Sequence, residues 1–445
     1  MVLLLASAGR TFGAGATRPA DVSGPPNIVF ILADDLGWSE LGCYGNTYNE
    51  TPNLDRLAAR GLRFTCAYSS SPVCSPTRAA LMTGQHPARV GITDYLRGDD
   101  KRFLAADYHT LAEALHDAGY ATGLIGKWHL MGDYAQRRGD PAGHGFDEVI
   151  CSETRYIAEG DYFGPYKFMP DVQPRTADEY LTDRLTQETL SFIYRHRARP
   201  FFLYLSHYAV HAFLAGKPEE VARFRAKPGA GQPGRNPELA AMLASVDEGV
   251  GRIASALEDW GLADRTLLIF TSDNGGELRF TTNRPLRSGK ATLYEGGIRV
   301  PLIIDGAGFT RTGEVCDVPV TALDFYPTFL EIAGAKPKPQ QTLDGQSIVP
   351  LLRGATTLSR ETLYWDFTLD RPERRRSASA IRRGDYKLIE YHDTRTDELY
   401  DLGRDPSEEH DLAGEMPEKR TELAGALKQW RREVTRGAAT RPSDR

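Results

Sequence analysis

The chain has little cysteine. Five occur in 445 residues, at positions 43, 66, 74, 151 and 316. That is too few and too scattered for a disulfide framework, and no pair has metal-finger spacing. A basic surplus is also missing: the formal net charge is −6, which argues against a general nucleic-acid binder. A local cluster of Arg and Lys can still draw in an anion, because a short-range field overrides a mild global charge. No apolar stretch is long enough to span a bilayer, and there is no internal repeat. What remains is an ordinary globular composition, 41% hydrophobic and 26% charged. The length suffices for one large core plus a smaller unit.

The N-terminus carries mixed signals. Val2 to Ala8 is apolar and Ala14-Gly15-Ala16 resembles a signal-peptidase site. Against this, the run is short, no positive segment precedes it, and Arg10 interrupts it. Residues 1–25 read as a leader, either a truncated secretory signal or a plain disordered segment. The first of these implies a periplasmic or secreted protein.

From Asn27 to Ala33 the chain is continuously apolar and β-branched, as a strand buried on both faces requires. Similar runs at Tyr120–Ile125, Phe201–Leu205 and Thr266–Thr271 alternate with helical segments at Leu54–Ala59 and Leu111–Ala118. Met242, Val246, Val250, Ile253 and Leu257 mark the buried face of a long helix ended by Gly261. The alternation predicts an α/β fold, a mostly parallel sheet with helices on both faces, over residues 26–355. Ligands of such sheets bind at the carboxyl ends of the strands. After about residue 355 come short strands at Leu363–Phe367, Ala378–Arg382, Lys387–Tyr391 and Glu398–Tyr400, then a polar helix at Pro417–Val434. These predict a small antiparallel sheet and helix as a C-terminal subdomain, 356–435, followed by a tail, 436–445.

Chemistry-bearing residues gather at the predicted strand ends. Asp34-Asp35 follow the first strand and Asp273-Asn274 follow the strand ending in Thr271-Ser272. One such pair is more often turn chemistry than a metal site. Two oxygen-rich strand ends in one sheet favour a hard cation such as Ca²⁺ or Mg²⁺, and no Cys or His cluster points to zinc. Cys74-Ser75-Pro76-Thr77-Arg78, followed by Leu81-Met82-Thr83-Gly84, opens a helix at Pro76. Helix-start N–H groups and the Arg78 guanidinium suit an anion, although a buried cysteine before a helix is equally good on these residues alone. Lys127 and His129 follow a strand end, as a candidate anion contact and proton-transfer group. Alone, they would be a solvated pair. His207 and His211 follow another. Arg287-Ser288-Gly289-Lys290 forms a loop whose bare reading is a mobile surface segment.

In chain order these motifs resemble the sulfatase family. The Cys74 run resembles Cys-x-Pro-x-Arg followed by Leu-x-Thr-Gly, and Gly126-Lys127-Trp128-His129 resembles Gly-Lys-Trp-His-Leu-Gly, with Met131 as a departure. Pro285 to Lys290, leading into Leu293-Tyr294-Glu295-Gly296-Gly297, resembles the lysine-bearing loop. The segment His207 to Phe213 departs from Tyr-His-x-x-His-Thr-Pro: the aromatic and first histidine are exchanged and the proline is lost. His211 aligns with the leaving-group histidine, and His207 reads as a packing residue. The resemblance runs from about Asn27 to beyond Leu402.

It implies an alkaline-phosphatase-like fold and conversion of Cys74 to formylglycine by a formylglycine-generating enzyme. It also implies a divalent cation, usually Ca²⁺ with Mg²⁺ as the alternative, on Asp34, Asp35, Asp273, Asn274 and the modified Cys74. Arg78, Lys127 and Lys290 would then neutralise sulfate charge. His129 would draw off the proton of the nucleophile's second hydroxyl. His211, assisted by Lys290, would protonate the leaving alcohol, and Arg287 would join Lys127, His211 and Lys290 in holding substrate. The expected reaction is hydrolysis of a sulfate ester, preferably of a carbohydrate.

Three readings compete: a phosphate or phosphonate ester hydrolase, a hydrolase using Cys74 as a thiolate, and a non-catalytic binder of sulfated glycans. Selectivity is expected in Ser152–Arg175, Phe213–Pro237 and Gly276–Ser288. Arg371, Arg374, Arg375, Arg376, Arg382 and Arg383 make the small subdomain locally basic, which suits a sulfated polysaccharide or simply a solvated loop.

Overall fold

The computed structural model describes residues 24–155, 162–306, 308, 313–369 and 376–439, without the side chains of 436–439. The leader residues 1–23, part of the Ser152–Arg175 segment, the tail beyond 439, and Arg371, Arg374 and Arg375 lie outside the described residues.

The larger sheet has nine strands: β1 (Asn27–Ala33), β2 (Leu62–Tyr68), β3 (Ala121–Gly126), β4 (Glu148–Ile150), β5 (Phe201–Ser206), β6 (Thr266–Ser272), β7 (Arg299–Gly306), β8 (Glu314–Cys316) and β9 (Val320–Thr321). Their order is β4-β3-β5-β1-β6-β7-β2-β8, with β9 also on β2. All neighbouring pairs are parallel except those of β7, which runs against both β6 and β2. This single reversal matters for the site, because the segment entering β7 lies at the edge where the parallel strands end.

The continuous apolar run of β1 is explained by two cores. Ile28, Phe30 and Leu32 enter one, with Phe325 and Phe329 of the helix Phe325–Ala333. Val29, Ile31 and Ala33 enter the other, with Met242, Val246, Val250, Ile253 and Leu257 of the helix Pro237–Asp259. Asn236 caps that helix, accepting from the Glu238 N–H at 3.0 Å, and Gly261 turns the chain away at φ +66°. Each fully buried aliphatic or aromatic side chain contributes about 1.5–3 kcal/mol, so the two cores hold the strand ends rigidly.

The smaller sheet comprises β10 (Thr362–Phe367), β11 (Ala378–Arg383), β12 (Tyr386–Tyr391) and β13 (Asp397–Asp401), all antiparallel. One face packs Trp365, Phe367 and Tyr400 onto Tyr68, Val73, Leu293 and Ile298 of the larger unit. The other buries Ile381, Leu388 and Leu399 under Leu423 and Leu427 of the helix Pro417–Ala439. No described helix is long and apolar enough to cross a membrane.

Candidate active site

Six chain segments converge at the carboxyl edge of the larger sheet. β1 delivers Asp34 and Asp35, β6 delivers Asp273 and Asn274, β3 delivers Lys127 and His129, and β5 leads through Ser206 to His211. The helix Cys74–Thr83, after β2, brings Cys74 and Arg78, and the reversed β7 lets its entry loop bring Lys290. Gly126 makes the turn out of β3 possible: its φ is +99°, and a Cβ there would sit 2.0 Å from the Ser206 carbonyl oxygen.

The buried charges are interlocked. Arg78 is fully buried; its Nε and Nη2 donate to Asp273 Oδ2 at 3.0 and 2.7 Å, and Nη1 to Ser206 Oγ at 2.5 Å. Lys127 Nζ donates to Asp34 Oδ2 at 2.5 Å, and Lys290 Nζ to Asp35 Oδ2 at 2.6 Å. Burial raises the Asp34 carboxyl to about 8, with Asp273 reinforcing it against the pull of Lys127. Burial acts the same way on Asp35, but Lys290 and His211 overcome it and hold that carboxyl well below its ordinary range. Lys290 stays charged, since the attraction of Asp35 outweighs its desolvation.

The two histidines differ in setting. His129 Nε2 lies 2.9 Å from the Leu96 carbonyl oxygen and must donate to it. Nδ1 is thereby left as the acceptor 3.2 Å from Cys74 Sγ. Burial, then Lys127 and Arg78, keep His129 neutral. Burial also raises the Cys74 thiol, so it is no ready thiolate. His211 Nδ1 donates to the Ala212 carbonyl at 2.6 Å, and Nε2 lies 3.8 Å from Asp35 Oδ2. Burial and the Lys290 ammonium push His211 down to about 3.

Two buried oxygens in this cluster have no hydrogen-bond partner: Asp34 Oδ1, which has only a loose ion pair with Arg78 Nη2 at 3.8 Å, and Asn274 Oδ1. Orphaned buried acceptors are costly, and a bound cation would satisfy them. One ligand atom from each of Asp34, Asp35 and His211 lies within 4.8 Å of the others. With Asp273 and the Asn274 oxygen added, the donor set is dominated by oxygen and fits a hard divalent ion.

Cys74, His129, His211 and Lys290 open onto a cleft of about 740 Å³ between the two units. Its outer walls are Phe213, Leu278 and Arg279 on one side and Phe367, Arg376 and Tyr391 on the other. Phe213 and Leu278 are both more than half exposed. Two of the expected selectivity segments thus reach the cleft, whereas no described residue of Ser152–Arg175 lines it. Of the basic cluster, Arg376 faces the cleft, already bonded to Asp393 through Nη2 at 2.9 Å. Arg382 bonds Tyr68 in the interior and Arg383 pairs with Glu422.

Arg287 does not join the others. Its Nη1 donates to Tyr400 Oη at 2.9 Å and to the Glu408 carbonyl at 2.7 Å, in the small subdomain. His207 is buried, and burial pushes it down to about 4. Two residues that sequence reasoning passed over shape the site. Ser206 anchors Arg78. Glu153 accepts the successive N–H groups of Trp128 and His129, at 3.0 and 2.5 Å, which pins His129 at φ +54°. A lone carboxylate in an irregular segment gives no sequence signal for such a role.

The sulfatase family model matches residues 26–335. The chain belongs to the sulfatase family. A second model, N-sulphoglucosamine sulphohydrolase, C-terminal, matches residues 288–435. N-acetylgalactosamine-6-sulfatase of Canis lupus familiaris is 35% identical over 393 residues, covering 82% of this chain and 72% of that protein. Arylsulfatase A of Homo sapiens is 34% identical over 457 residues, covering 92% and 87%. The crystal structure of Ps i-CgsB in complex with k-i-k-neocarrahexaose superposes with a TM-score of 0.81 at 31% identity, covering 92% of this chain and 93% of that one. This sulfatase is a sulfuric ester hydrolase with an alkaline-phosphatase-like fold. The phosphonate monoester hydrolase of Agrobacterium radiobacter, 23% identical with a TM-score of 0.69, shares the fold.

Proposed function

We propose that this enzyme hydrolyses a carbohydrate sulfate ester with an oxygen nucleophile made from Cys74 and a divalent cation, Ca²⁺ in preference to Mg²⁺. The observation that carries the reading is the pair of orphaned oxygens, Asp34 Oδ1 and Asn274 Oδ1, in the charged cluster directly behind Cys74. Asp34, Asp35, Asp273, Asn274 and the modified side chain at 74 would hold the cation. Formylglycine would supply a hydrated aldehyde as nucleophile, and the cation would lower its charge repulsion with the ester.

The chain's own groups do the rest. Arg78 holds Asp273 and the start of its helix in place. Lys127 and Lys290 offset the negative charge that builds on the sulfuryl oxygens. His129 Nδ1, fixed as an acceptor by the Leu96 bond, takes a proton from the group at position 74. His211 is neutral in the free site; an incoming sulfate ester favours its imidazolium, which then protonates the leaving oxygen beside Lys290. The apolar cleft walls suit the face of a sugar ring, and the sugars named for related proteins support a carbohydrate leaving group.

The raised thiol disfavours a Cys74 thiolate mechanism. Mass spectrometry of the Cys74 peptide tests the modification: formylglycine is lighter than cysteine and traps carbonyl reagents. A host without the maturing enzyme should yield folded, cation-binding, inactive protein. Full sulfate release with an intact thiol would overturn the proposal, and faster cleavage of a matched aryl phosphate than of the sulfate would favour a phosphoryl hydrolase.

A further inference from the structure

Lys290 reaches Asp35 from a loop that, by its sequence, should be mobile. The structure shows what restrains it. Glu295, five residues on, opens the short helix Glu295–Ile298, and its side chain is fully buried. Its carboxylate accepts from Tyr68 Oη at 2.7 Å and from Lys387 Nζ at 2.9 Å. Lys387 comes from β12 of the small sheet, is fully buried, and bridges to Glu408 Oε1 at 2.9 Å. Glu408 returns the connection: its Oε2 accepts the Glu295 N–H at 2.7 Å, and its carbonyl accepts Arg287 Nη1 at 2.7 Å.

Both ends of the loop are therefore fastened to one residue of the small subdomain. The Gly296 N–H closes the loop on the Arg287 carbonyl at 2.9 Å. Between these ties the backbone takes unfavourable turns, with Ser288 at φ +60° and Ala291 at φ +69°. Side chains at such angles are held by their surroundings rather than by local preference. An apolar interface alone would bind the two units but would not fix the height of a single ammonium. A buried ion triad can specify register in a way that apolar packing does not.

We infer that Lys387, Glu408 and Arg287 are positioning residues that hold Lys290 on the site, so the small subdomain is part of the catalytic apparatus. This rests on the reading of Lys290 as a group acting on the sulfate ester. An ångström of misplacement in a site can cost about 100-fold in rate. Lys387→Met and, as a milder variant at the half-buried rim, Arg287→Met should each lower kcat by about 10- to 100-fold with little change in KM. Lys387→Arg should recover part of the loss.

The deciding measurement is a double-mutant cycle on an aryl sulfate. In a Lys290→Ala background, Arg287→Met should cost almost nothing further, since the group it positions is gone. Equal losses in both backgrounds would overturn the inference, because a merely structural role subtracts the same from each. Hydrogen exchange of residues 288–297, read by mass spectrometry, gives a readout independent of activity. Faster exchange there in Arg287→Met, with the β1 and β6 amides unchanged, supports the tie, and unchanged exchange of the loop overturns it. A wild-type protein that carries formylglycine and releases no sulfate would count against the functional reading, and hydrogen exchange would still judge the tie.

Discussion

Two buried charge clusters approach each other in the chain between Lys290 and Glu295, and they are built differently. The interface cluster of Glu295, Lys387, Glu408, Arg299, Arg382 and Tyr68 leaves no buried side-chain oxygen or nitrogen without a partner. The strand-end cluster is likewise rich in charge but leaves Asp34 Oδ1 and Asn274 Oδ1 without a hydrogen bond. A closed cluster has nothing left to bind and serves as a fastener. An open one carries an energetic deficit that only a further ligand removes. Burial and charge are alike in these two clusters; the completeness of their hydrogen bonding is what separates them.

The comparison can be broken from either side. Cys74→Ser should abolish turnover, by roughly 10⁴-fold or more as for other lost nucleophiles, while leaving Ca²⁺ affinity nearly unchanged by titration calorimetry. An unaltered turnover number would sink the covalent scheme. Lys387→Met acts on the closed cluster and leaves two buried carboxylates facing each other. It should cost about 3–5 kcal/mol of stability, measured by denaturant unfolding; a loss below about 1 kcal/mol would mean the cluster is not closed as described. Ca²⁺ at a hundred times its Kd should raise the unfolding free energy by about 2.7 kcal/mol. That gain should vanish in Asn274→Leu and persist in Lys387→Met. Equal stabilisation of all three proteins would place the cation elsewhere.

Much of this was legible in the sequence, for a physical reason. β1, β3, β5 and β6 are buried on both faces, so each is a continuous apolar run, and the residue after each run falls at the site edge. Asp34, Lys127 and Asp273 are found that way. β2 was not legible: Arg63 and Thr65 interrupt it, and its register shifts between Phe64 and Ala67. The reversal of β7 cannot be read from a strand pattern at all, yet it brings Lys290 to the edge. Lys387 shows the same limit. In a short strand a lysine reads as solvent-facing, and only pairing across the interface with Glu295 makes it buried. Arg287, beside Lys290 in the chain, reads as a second anion contact; the fold turns it the other way, onto Tyr400 and Glu408.

The smallest effect would sharpen the account of the closed cluster. Burial raises Glu408 from its ordinary 4.5 to about 7, and Glu295 adds to this against the pull of Lys387. Glu295 goes the other way, to about 2, because Lys387 and Arg299 overcome its burial. One ammonium cannot hold both carboxylates ionised equally well. For Glu408 the folded state keeps the proton longer than the unfolded chain, so its stabilising contribution is complete below 4.5 and is lost as pH rises through about 7. For Glu295 the contribution is complete above 4.5 and is lost as pH falls through about 2. The cluster should therefore stabilise most near its crossover and less on either side. Glu408→Gln should make the decline on the neutral side shallower, on the order of 1 kcal/mol per pH unit, leaving the share that Asp34 contributes, and should leave the acid side intact. Unfolding curves measured from about pH 4.5 to 7.5 test this: parallel profiles for wild type and Glu408→Gln would mean that Glu408 does not carry the proton.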